Sequence, residues 1–390
     1  MVIAAHFVLC GLPLLLDVLV GPPDYLKLRG FFLSESDPVT FLIFAAYVAV
    51  CPVFWFALGC PCNPARGRPS SFDPRVRRIV RVLSYPTAIS PGLVALLAPS
   101  PDAYLGYAVP ITGALSLDAI DWHHWVATFS VLAVVASAFL LSEYRVLTAA
   151  RVAFLTATMT ASCWLNGKRV IVAIALSLVG YALWSQGVFR GRRLQVALAL
   201  GALALLTFSL SYQHSVRHAD VLGDWSGGQT AYDGTRVDFF RDDRIRLTLF
   251  SELHPDQMQI LDHRGQSFLF YLTFPVPRDA WPAKPWPYAT YFTSAALGLY
   301  PARPLGWGMT TSWLEEVVAN CGWFGLLLAP MTLVALCRFG DAIPWTAMRM
   351  LTALLAVLLL TVEPIAFMPL FLLWIALYAA ARFLAVPQVP

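Results

Sequence analysis

Apolar runs of about 20 residues recur along this chain from one end to the other, and they constrain its fold more than any other feature. A helix of that length crosses a bilayer, and within lipid the backbone polar groups must be paired inside the helix itself. The chain is 58% hydrophobic and only 13% charged, far below the charged fraction of about 25% in soluble domains. The sequence therefore predicts an all-α polytopic membrane protein.

Ten runs have the length and composition of membrane-spanning helices. They lie at 1–20, 39–58, 79–98, 122–142, 146–164, 170–188, 194–212, 320–338, 347–363 and 366–385. The first run has no basic start and contains His6 and Asp17, so it differs from a cleaved signal peptide. The chain is expected to comprise N-terminal transmembrane helices (1–212), one large extracytoplasmic loop (213–319) and C-terminal transmembrane helices (320–390).

Clusters of arginine indicate the orientation, because cytoplasmic loops of membrane proteins are rich in basic residues. Loop 61–81 has six arginines and a single acid, Asp73. Counting the runs outward places the basic turns at 190–193 and 338–349, and also Arg382, on the same side. Both termini are therefore predicted to be cytoplasmic, and the loop 213–319 is predicted to lie outside.

The predicted external loop is the part of the chain most suited to chemistry. It holds 21 of the 50 charged residues and four of the seven histidines, so the polar side chains concentrate there. Its stretch 238–253 is amphipathic, with Ile245, Leu249 and Leu253 at helical spacing. Its segment 266–277 is apolar and is predicted to dip toward the membrane. We expect a structured lid rather than a flexible connector, because the loop is rich in aromatic residues.

Two basic clusters are predicted on the outer side. One is Asn166-Gly167-Lys168-Arg169, and the other is the pair Arg278 and Lys284, which lies in a segment stiffened by five prolines (275, 277, 282, 285 and 287). Arginine can bind one phosphate through two N–H groups, while lysine neutralises another as a point charge. The residues alone leave a second interpretation open for each cluster, namely snorkelling to lipid headgroups or simple solvation.

The segment GWGMTTSWLEEVVANCGWFG (306–325) predicts a helix that starts at a capping box. Ser312 and Glu315 have the spacing of that motif. The helix macrodipole explains one carboxylate in the first turn, and the second, Glu316, is a candidate general base. Asn320 follows Glu316 by one turn on the same face.

These motifs, in this order, resemble the pattern of Wzy-type polysaccharide polymerases. The residues that carry the resemblance are Val276, Pro277, Arg278, Lys284, Pro285, Gly306, Gly308, Ser312, Glu316, Asn320, Gly322 and Gly325. The segment 166–169 is similar to a basic motif of the same family, and the order of many spans and one large external loop extends the likeness. Cys321 and Trp323 depart from it, since the family often has other aromatics in this turn.

The resemblance implies a GT-C-like, inverting, metal-independent glycosyltransferase of the bacterial cytoplasmic membrane, without a cofactor. It implies that polyprenyl-diphosphate-linked oligosaccharide repeat units are polymerised at the outer face. The implied partners are that lipid-linked oligosaccharide, membrane lipid and a chain-length regulator, and no nucleic acid. The predicted diphosphate ligands are Lys168, Arg169, Arg278 and Lys284, and Arg244 and Arg246 are second-tier candidates for the same role. The predicted catalytic base is Glu316, with His254 and Asp256 as alternatives. Asn320 and Trp281 are predicted to bind substrate.

Several alternatives stay open from the sequence. A ligase similar to O-antigen ligases would transfer a finished glycan to another acceptor, and a flippase or exporter would move lipid-linked sugars without catalysis. Transporters usually contain internal repeats, and none is evident here. Tryptophans 281, 286 and 307 are placed either to stack on sugars or to anchor the chain at the interface. Asp242 and Asp243 are expected to form local ion pairs with Arg241 and Arg244. Cys163 and Cys321 are both predicted near the outer face and could form a disulfide, but by default each cysteine acts as a small apolar side chain.

Overall fold

The computed structural model describes residues 2–23, 28–59, 74–108, 117–144, 146–188, 191–216, 232, 236, 239–305 and 308–383. Within these ranges the backbone forms helices joined by turns, and no strand occurs, so the predicted all-α class is confirmed. Several predictions fall outside them, on Cys60, Cys62, Arg66, Arg68, Asp73, Arg190, Gly306 and Trp307.

The helices of the described residues are numbered here in chain order. They are α1 (Val2–Leu19, with a π turn at Phe7–Gly11), α2 (Arg29–Ser36), α3 (Pro38–Gly59), α4 (Pro74–Leu96), α5 (Leu117–Glu143), α6 (Ala149–Asn166), α7 (Arg169–Ser185), α8 (Arg192–Val216), α9 (Asp242–Leu253), α10 (Gln266–Leu272), α11 (Tyr288–Ala296), α12 (Trp313–Cys321), α13 (Gly325–Asp341), α14 (Thr346–Thr361) and α15 (Met368–Phe383). Short 3-10 turns occur at Pro101–Tyr104, Gly322–Phe324 and Pro364–Phe367.

Six helical stretches of the described chain are long and apolar enough to cross a membrane. They are Val2–Leu19, Pro38–Gly59, Pro74–Leu96, Trp122–Glu143, Trp313–Asp341 and Pro364–Ala381. Three further apolar helices are shorter: Arg169–Ser185, Gln195–Ser209 and Thr346–Thr361. Helix α6 covers the remaining predicted run, but three threonines and a serine make it less apolar. Every predicted run overlaps a helix, which is consistent with a polytopic membrane protein; ten crossings stay a prediction.

The chain folds into two compact units. The first comprises Met1–Pro64, Ser226–Phe339 and Leu355–Met368, and the second comprises Ala65–Trp225, Gly340–Leu354 and Pro369–Pro390. The three regions predicted from sequence follow one another along the chain, at 1–212, 213–319 and 320–390. The two units instead join segments that are distant in sequence. As a result, Ser226–Phe339 belongs to the same unit as Met1–Pro64.

The second unit is built around α5, which packs against α4, α6 and α7. Its turns from Ala133 to Leu141 are buried, and the hydroxyls of Ser137 and Thr158 lie 3.1 Å apart between α5 and α6. At the end of α5, Glu143 accepts hydrogen bonds from Arg77 at 2.6 Å and from Trp345 Nε1 at 3.0 Å. These polar side chains of α4, α5 and α6 thus pair with one another across the helix interfaces.

Helix α9 forms the centre of the first unit, where it packs against α2, α3 and α12. Ten of its twelve residues, from Asp242 to Ser251, are buried. Within the described part of the predicted amphipathic stretch, α9 runs from Asp242 to Leu253, and it does not lie on a surface, because its charged face is enclosed as well. Gly30 on α2 allows close packing, since a Cβ there would lie 2.9 Å from the Cα of Ala296 on α11.

Helices α12 and α13 form a hairpin, although their composition is that of one apolar stretch of 29 residues. In one continuous helix, residues 313 and 332 would lie about 28 Å apart. Instead, Trp313 Nε1 donates to Thr332 Oγ1 at 2.6 Å. The reversal occurs at Gly322, which has φ 62° and ψ −148°, a conformation that essentially only glycine adopts. Helix α12 is about 14 Å long by its nine residues, too short to cross a bilayer.

We expect Gly325→Ala to destabilise the protein, because a Cβ at Gly325 would lie 2.5 Å from backbone atoms of Val317 and Val318. Backbone cannot move aside as a side chain can, so the cost should reach about 1–3 kcal/mol. The matched control is Gly180→Ala in α7, where no atom lies within 4 Å of the new Cβ and helix propensity favours alanine. Thermal midpoints of the purified proteins test this, and equal midpoints for the two variants would contradict the hairpin packing.

Candidate functional site

The proline strap, defined here as residues 275–287, holds its two predicted phosphate ligands together. Arg278 donates from Nη1 to the carbonyl of Lys284 at 2.6 Å and from Nη2 to that of Pro285 at 3.0 Å. Its guanidinium lies 3.4 Å from the ring centroid of Trp286, a cation–π contact. The sequence placed Arg278 and Lys284 on one stiff segment, and in the structure they are in direct contact.

Lys284 is a buried cation, with only 7% of its surface exposed. Its Nζ donates to the carbonyls of Phe274 at 3.0 Å and Val276 at 2.9 Å, and it lies 5.2 Å from the ring centroid of Phe270. Among the described residues, no carboxylate lies within ion-pair distance of Lys284 or Arg278. An ammonium has three donors, and two are used here, so one N–H has no acceptor and the positive charge has no counterion among the described residues.

A hydroxyl–carboxyl network surrounds Glu316, which is fully buried at the start of α12. Ser267 donates to Oε1 at 2.8 Å and Tyr271 donates to Oε2 at 2.7 Å. The two donors are four residues apart on α10, so they share one face of that helix. Burial and the charges of Glu316 and Glu363 raise the pKa of Tyr271, which therefore stays a proton donor.

Asn320 extends this network by one turn of α12, as the sequence predicted. Its Nδ2 donates to the Glu316 carbonyl and to Ser267 Oγ, each at 2.7 Å. Its Oδ1 is buried without a donor among the described residues. A buried acceptor left without a donor is costly, and a ligand hydroxyl is one group that would satisfy it. The predicted capping box is also confirmed, since Glu315 bonds the backbone N–H and the hydroxyl of Ser312.

Helix α10 connects the proline strap to the Glu316 network. Phe270 lies beneath the Lys284 ammonium, and the neighbouring residue Tyr271 bonds Glu316. The carbonyl of Phe274, two residues beyond the end of α10, accepts from Lys284. One short helix thus carries the contacts to the unneutralised cation and to the buried carboxyl. From sequence this segment is predicted only to dip toward the membrane, and the roles of Ser267 and Tyr271 were missed; their spacing of four residues was the available indication.

A second carboxyl, Glu363, lies close to this network and was also missed from sequence. It lies between the end of α14 at Thr361 and the apolar stretch Pro364–Ala381, at the last position of the predicted run 347–363. Its Oε2 accepts from the N–H of Ala289, in the first turn of α11, at 3.3 Å. Burial raises the pKa of Glu363 to about 7. An acid at the end of the predicted run 347–363 was the sequence indication, since ionisable residues at membrane depth are expensive and usually functional.

A cleft of about 300 Å³ opens beside α12 at Ala319, the neighbour of Asn320. Its polar lining consists of Ser251, Glu252, Gln259, Asp262 and Arg264. Arg264 donates to Glu252 at 2.7 Å and lies against Gly322, where a Cβ would be 1.5 Å from Nη1. Glycine at 322 therefore leaves the room that this guanidinium occupies. Hydroxyl, amide, carboxylate and guanidinium groups in one cleft match the hydrogen-bonding needs of a sugar.

The arginines of α9, predicted as second-tier phosphate ligands, are already paired with carboxylates. Arg246 donates to Glu35 at 2.5 and 2.6 Å and to Asp17 at 2.5 Å. Arg244 forms an ion pair with Asp243, which confirms that part of the ion pairing predicted from sequence. Arg244 also donates to the carbonyl of Thr310 at 2.8 Å. Arg246 is 1% exposed, so in this structure it neutralises buried acids and has no face open to a ligand.

Asp242 accepts from Arg236 on both of its oxygens, at 3.2 and 2.9 Å, and one of these oxygens also lies 4.0 Å from Arg246 Nη2. Arg236 also donates to Asp17 at 2.6 Å. Oxygens of Asp17, Glu35 and Asp242 lie within 4.8 Å of one another, a spacing suited to a cation. The guanidiniums of Arg236 and Arg246 already supply positive charge to these oxygens, so the arrangement is an ion-pair cluster.

The basic segment at 166–169 lies in the second unit, at the junction of α6 and α7. Gly167 ends α6 with φ 67°, and Asn166 donates to the carbonyl of Ala127 at 3.1 Å. Lys168 is exposed, while Arg169 is partly buried and donates to Ser209 at 3.0 Å. Binding of diphosphate by Lys168 and Arg169 stays a prediction.

The remaining predicted residues occupy peripheral positions in the first unit. Trp281 is partly exposed, His254 lies 3.4 Å from Asp37, and Asp256 is exposed. Cys163 and Cys321 are both free thiols, so the disulfide considered from sequence is not formed. Among the described residues, Glu316 and Glu363 are thus the carboxyls connected to the strap through α10 and the start of α11.

The fold is that expected of an all-helical polytopic membrane protein, and the site is a buried carboxyl network joined to a cation-bearing strap. Protein-family models, curated proteins and solved structures contain no match to this chain.

Proposed function

We propose that this protein is a membrane glycosyltransferase that polymerises polyprenyl-diphosphate-linked oligosaccharide repeat units at the outer face of the bacterial cytoplasmic membrane. The observation that carries the proposal is the connection through α10. This helix contacts the unneutralised Lys284 ammonium and also donates two hydroxyls to the enclosed Glu316. Transfer from a lipid diphosphate needs cations for the leaving group beside a carboxyl network that serves the acceptor.

The residues have distinct roles in the proposed reaction. Arg278 and Lys284 neutralise the diphosphate as the sugar leaves it, and the stiff strap holds the two cations at a constant separation. The buried Asn320 Oδ1 accepts from a substrate hydroxyl, and the cleft at Arg264 and Glu252 binds part of the glycan. The reaction inverts the anomeric centre in a single displacement and places the growing chain on a hydroxyl of the next lipid-linked unit.

The proposed location follows from the same roles. Both termini are in the cytoplasm, and the strap and the carboxyl network face outward, where the lipid-linked units are presented. The GT-C-like architecture with about ten crossings belongs to this proposal. A chain-length regulator and membrane lipid are the proposed partners, and neither is needed for the transfer step itself. A ligase or a lipid-linked sugar flippase would use the same kind of anion site, and the outcome below separates the three.

Cells that lack this protein should lose the ladder of long surface glycans and accumulate single lipid-linked repeat units, because no other step joins them. The measurement is gel banding of surface glycans, with the lipid fraction analysed in parallel. Re-expression of the intact chain should restore the ladder. Polymer retained on polyprenyl lipid, with only its attachment lost, would instead identify a ligase. Repeat units trapped at the inner face would identify a flippase.

Units extracted from the same deletion cells provide the substrate for purified protein in detergent. Purified protein with this substrate alone should produce a ladder without added metal or nucleotide. Absence of polymer from folded, pure protein in the presence of this substrate would refute the proposed function.

A further inference from the structure

Three carboxyls lie in this part of the first unit, two buried and one partly exposed, and their oxygens accept different numbers of hydrogen bonds. Glu316 is fully buried, and each of its two oxygens accepts a hydrogen bond, one from the Ser267 hydroxyl and one from the Tyr271 hydroxyl. Glu315 is occupied by its capping box. Glu363 is partly exposed, and its Oε2 accepts one hydrogen bond, from the Ala289 N–H. Among the described residues, none donates to its Oε1. Of the three, Glu363 alone has an oxygen open to a substrate.

The position of Glu363 places it between the two halves of the candidate site. Ala289 belongs to the first turn of α11, which begins directly after the proline strap. That turn stabilises a negative charge through its free N–H groups and the macrodipole. On the other side, the charge of Glu363 raises the pKa of Tyr271, whose hydroxyl bonds Glu316. Glu363 is therefore adjacent both to the segment that carries the cations and to the carboxyl network.

The groups that face Glu363 come from several elements. They are the Ala289 N–H of α11, Tyr271 of α10 and Glu316 of α12. The chain that carries Glu363 is held by Arg241, whose Nε donates to the carbonyl of Thr361 at 2.9 Å. Burial is the main cause that raises the pKa of Glu363 to about 7, so the carboxyl changes charge near neutral pH. A general base is most effective at such a value.

We infer that Glu363, rather than Glu316, takes the proton from the acceptor hydroxyl; this rests on the proposed glycosyl transfer. The hydroxyl oxygen attacks the anomeric carbon and forms the new glycosidic bond. The bond from that carbon to the diphosphate oxygen breaks, and its electron pair leaves with the diphosphate. The hydroxyl proton passes to Oε1 of Glu363. Glu316 is then a positioning residue that orients Ser267 and Tyr271.

The test measures kcat and KM of purified protein on lipid-linked repeat units as a function of pH. Wild-type kcat should rise with pH through a midpoint near 7, because the base must be ionised. Glu363→Gln should lower kcat by about 10²–10⁴-fold and abolish that rise, with KM nearly unchanged. Glu316→Gln should keep the rise, because it leaves the proton acceptor in place. Glutamine can still accept from Ala289, so the fold should persist.

A second variant distinguishes loss of the base from misfolding. Glu363→Gly should be inactive and should regain part of its kcat when formate is added, because a misfolded protein would not be rescued. Wild-type kcat in Glu363→Gln would overturn the inference. A lowered kcat that retains the pH-dependent rise, with no rescue by formate, would also overturn it, since that is the result of a structural role. A wild-type protein that makes no polymer would overturn the proposed function, and this inference with it.

Discussion

Replacing Lys284 or Arg278 by alanine should abolish polymer formation and leave single lipid-linked units to accumulate. Each variant removes a cation from the leaving group at the moment when negative charge develops on it. Loss of one such electrostatic contact costs about 10²–10³-fold in kcat in well-studied enzymes. The measurement is turnover by purified protein, together with glycan banding in cells that express each variant.

The two residues also organise the strap, so the variants must separate charge from architecture. Lys284→Met keeps the apolar stem over Phe270 and removes only the ammonium. Arg278→Lys keeps the charge but loses the two-pronged contact with the carbonyls of Lys284 and Pro285. If phosphate binding dominates, Lys284→Met should be as inactive as Lys284→Ala, and Arg278→Lys should retain part of the activity.

The matched control is Arg303→Ala, which removes an exposed arginine from the same region of the chain. It should leave turnover within about twofold of wild type, since an exposed cation contributes little at a distance. Long polymer from both alanine variants of the strap would show that the diphosphate does not bind there. Equal loss in Arg303→Ala would show that general positive charge, and not this pair, is what matters.

Arg246→Met should strongly destabilise the first unit, with little direct effect on the chemistry of the site. Arg246 is the common partner of Glu35 and Asp17, and it also lies 4.9 Å from the ring centroid of Phe44. Removing one partner of a buried ion pair leaves the other charge uncompensated and costs about 3–5 kcal/mol. The measurement is the thermal midpoint in detergent, followed by tryptophan fluorescence.

The control is Arg264→Met, which breaks a pair with Glu252 whose arginine is 61% exposed. That change should cost at most about 1 kcal/mol, because water replaces the lost partner. The double variant Arg246→Met with Glu35→Gln should regain part of the lost stability, since one uncompensated carboxylate is then neutral. Equal midpoints for Arg246→Met and wild type would contradict the ion-pair cluster.

The same cluster predicts a pH dependence. Burial raises the pKa of Glu35 from 4.5 to about 7 and that of Asp242 from 3.8 to about 6. The folded state therefore binds more protons than the unfolded state between about pH 4 and 7, so these two groups lower stability as pH rises through that window. In Arg246→Met the destabilisation should be smaller at pH 5 than at pH 8, because a protonated carboxyl does not need the missing guanidinium.

The site itself could be predicted in part. Arg278 and Lys284 stood out because a stiff, proline-rich segment with two cations is rare in an apolar chain, and they are in contact. Glu316 and Asn320 were predicted on one face of a helix, and the hydrogen bond from Asn320 to the Glu316 carbonyl agrees. Their partners Ser267 and Tyr271 lie about 50 residues away, and no local pattern connects α10 to α12.

The sequence by itself determined the features that depend on neighbouring residues. Apolar runs produce helices because lipid cannot satisfy a bare backbone, and Ser312 with Glu315 starts α12 because their side chains reach the first N–H groups. Periodicity carries information over three or four residues along one helix, which is why helix positions were predicted well.

Only the tertiary structure decided which charges meet and where the chain reverses. Arg236 is 219 residues from Asp17, Arg246 is 211 residues from Glu35, and Glu363 is 74 residues from the Ala289 N–H that it accepts. The hairpin at Gly322 was concealed in a stretch with the composition of one span. These contacts depend on how distant helices pack and on the energetic need to pair every buried charge. Each buried charge needs a partner, but only the packing of the helices selects which residue that partner is.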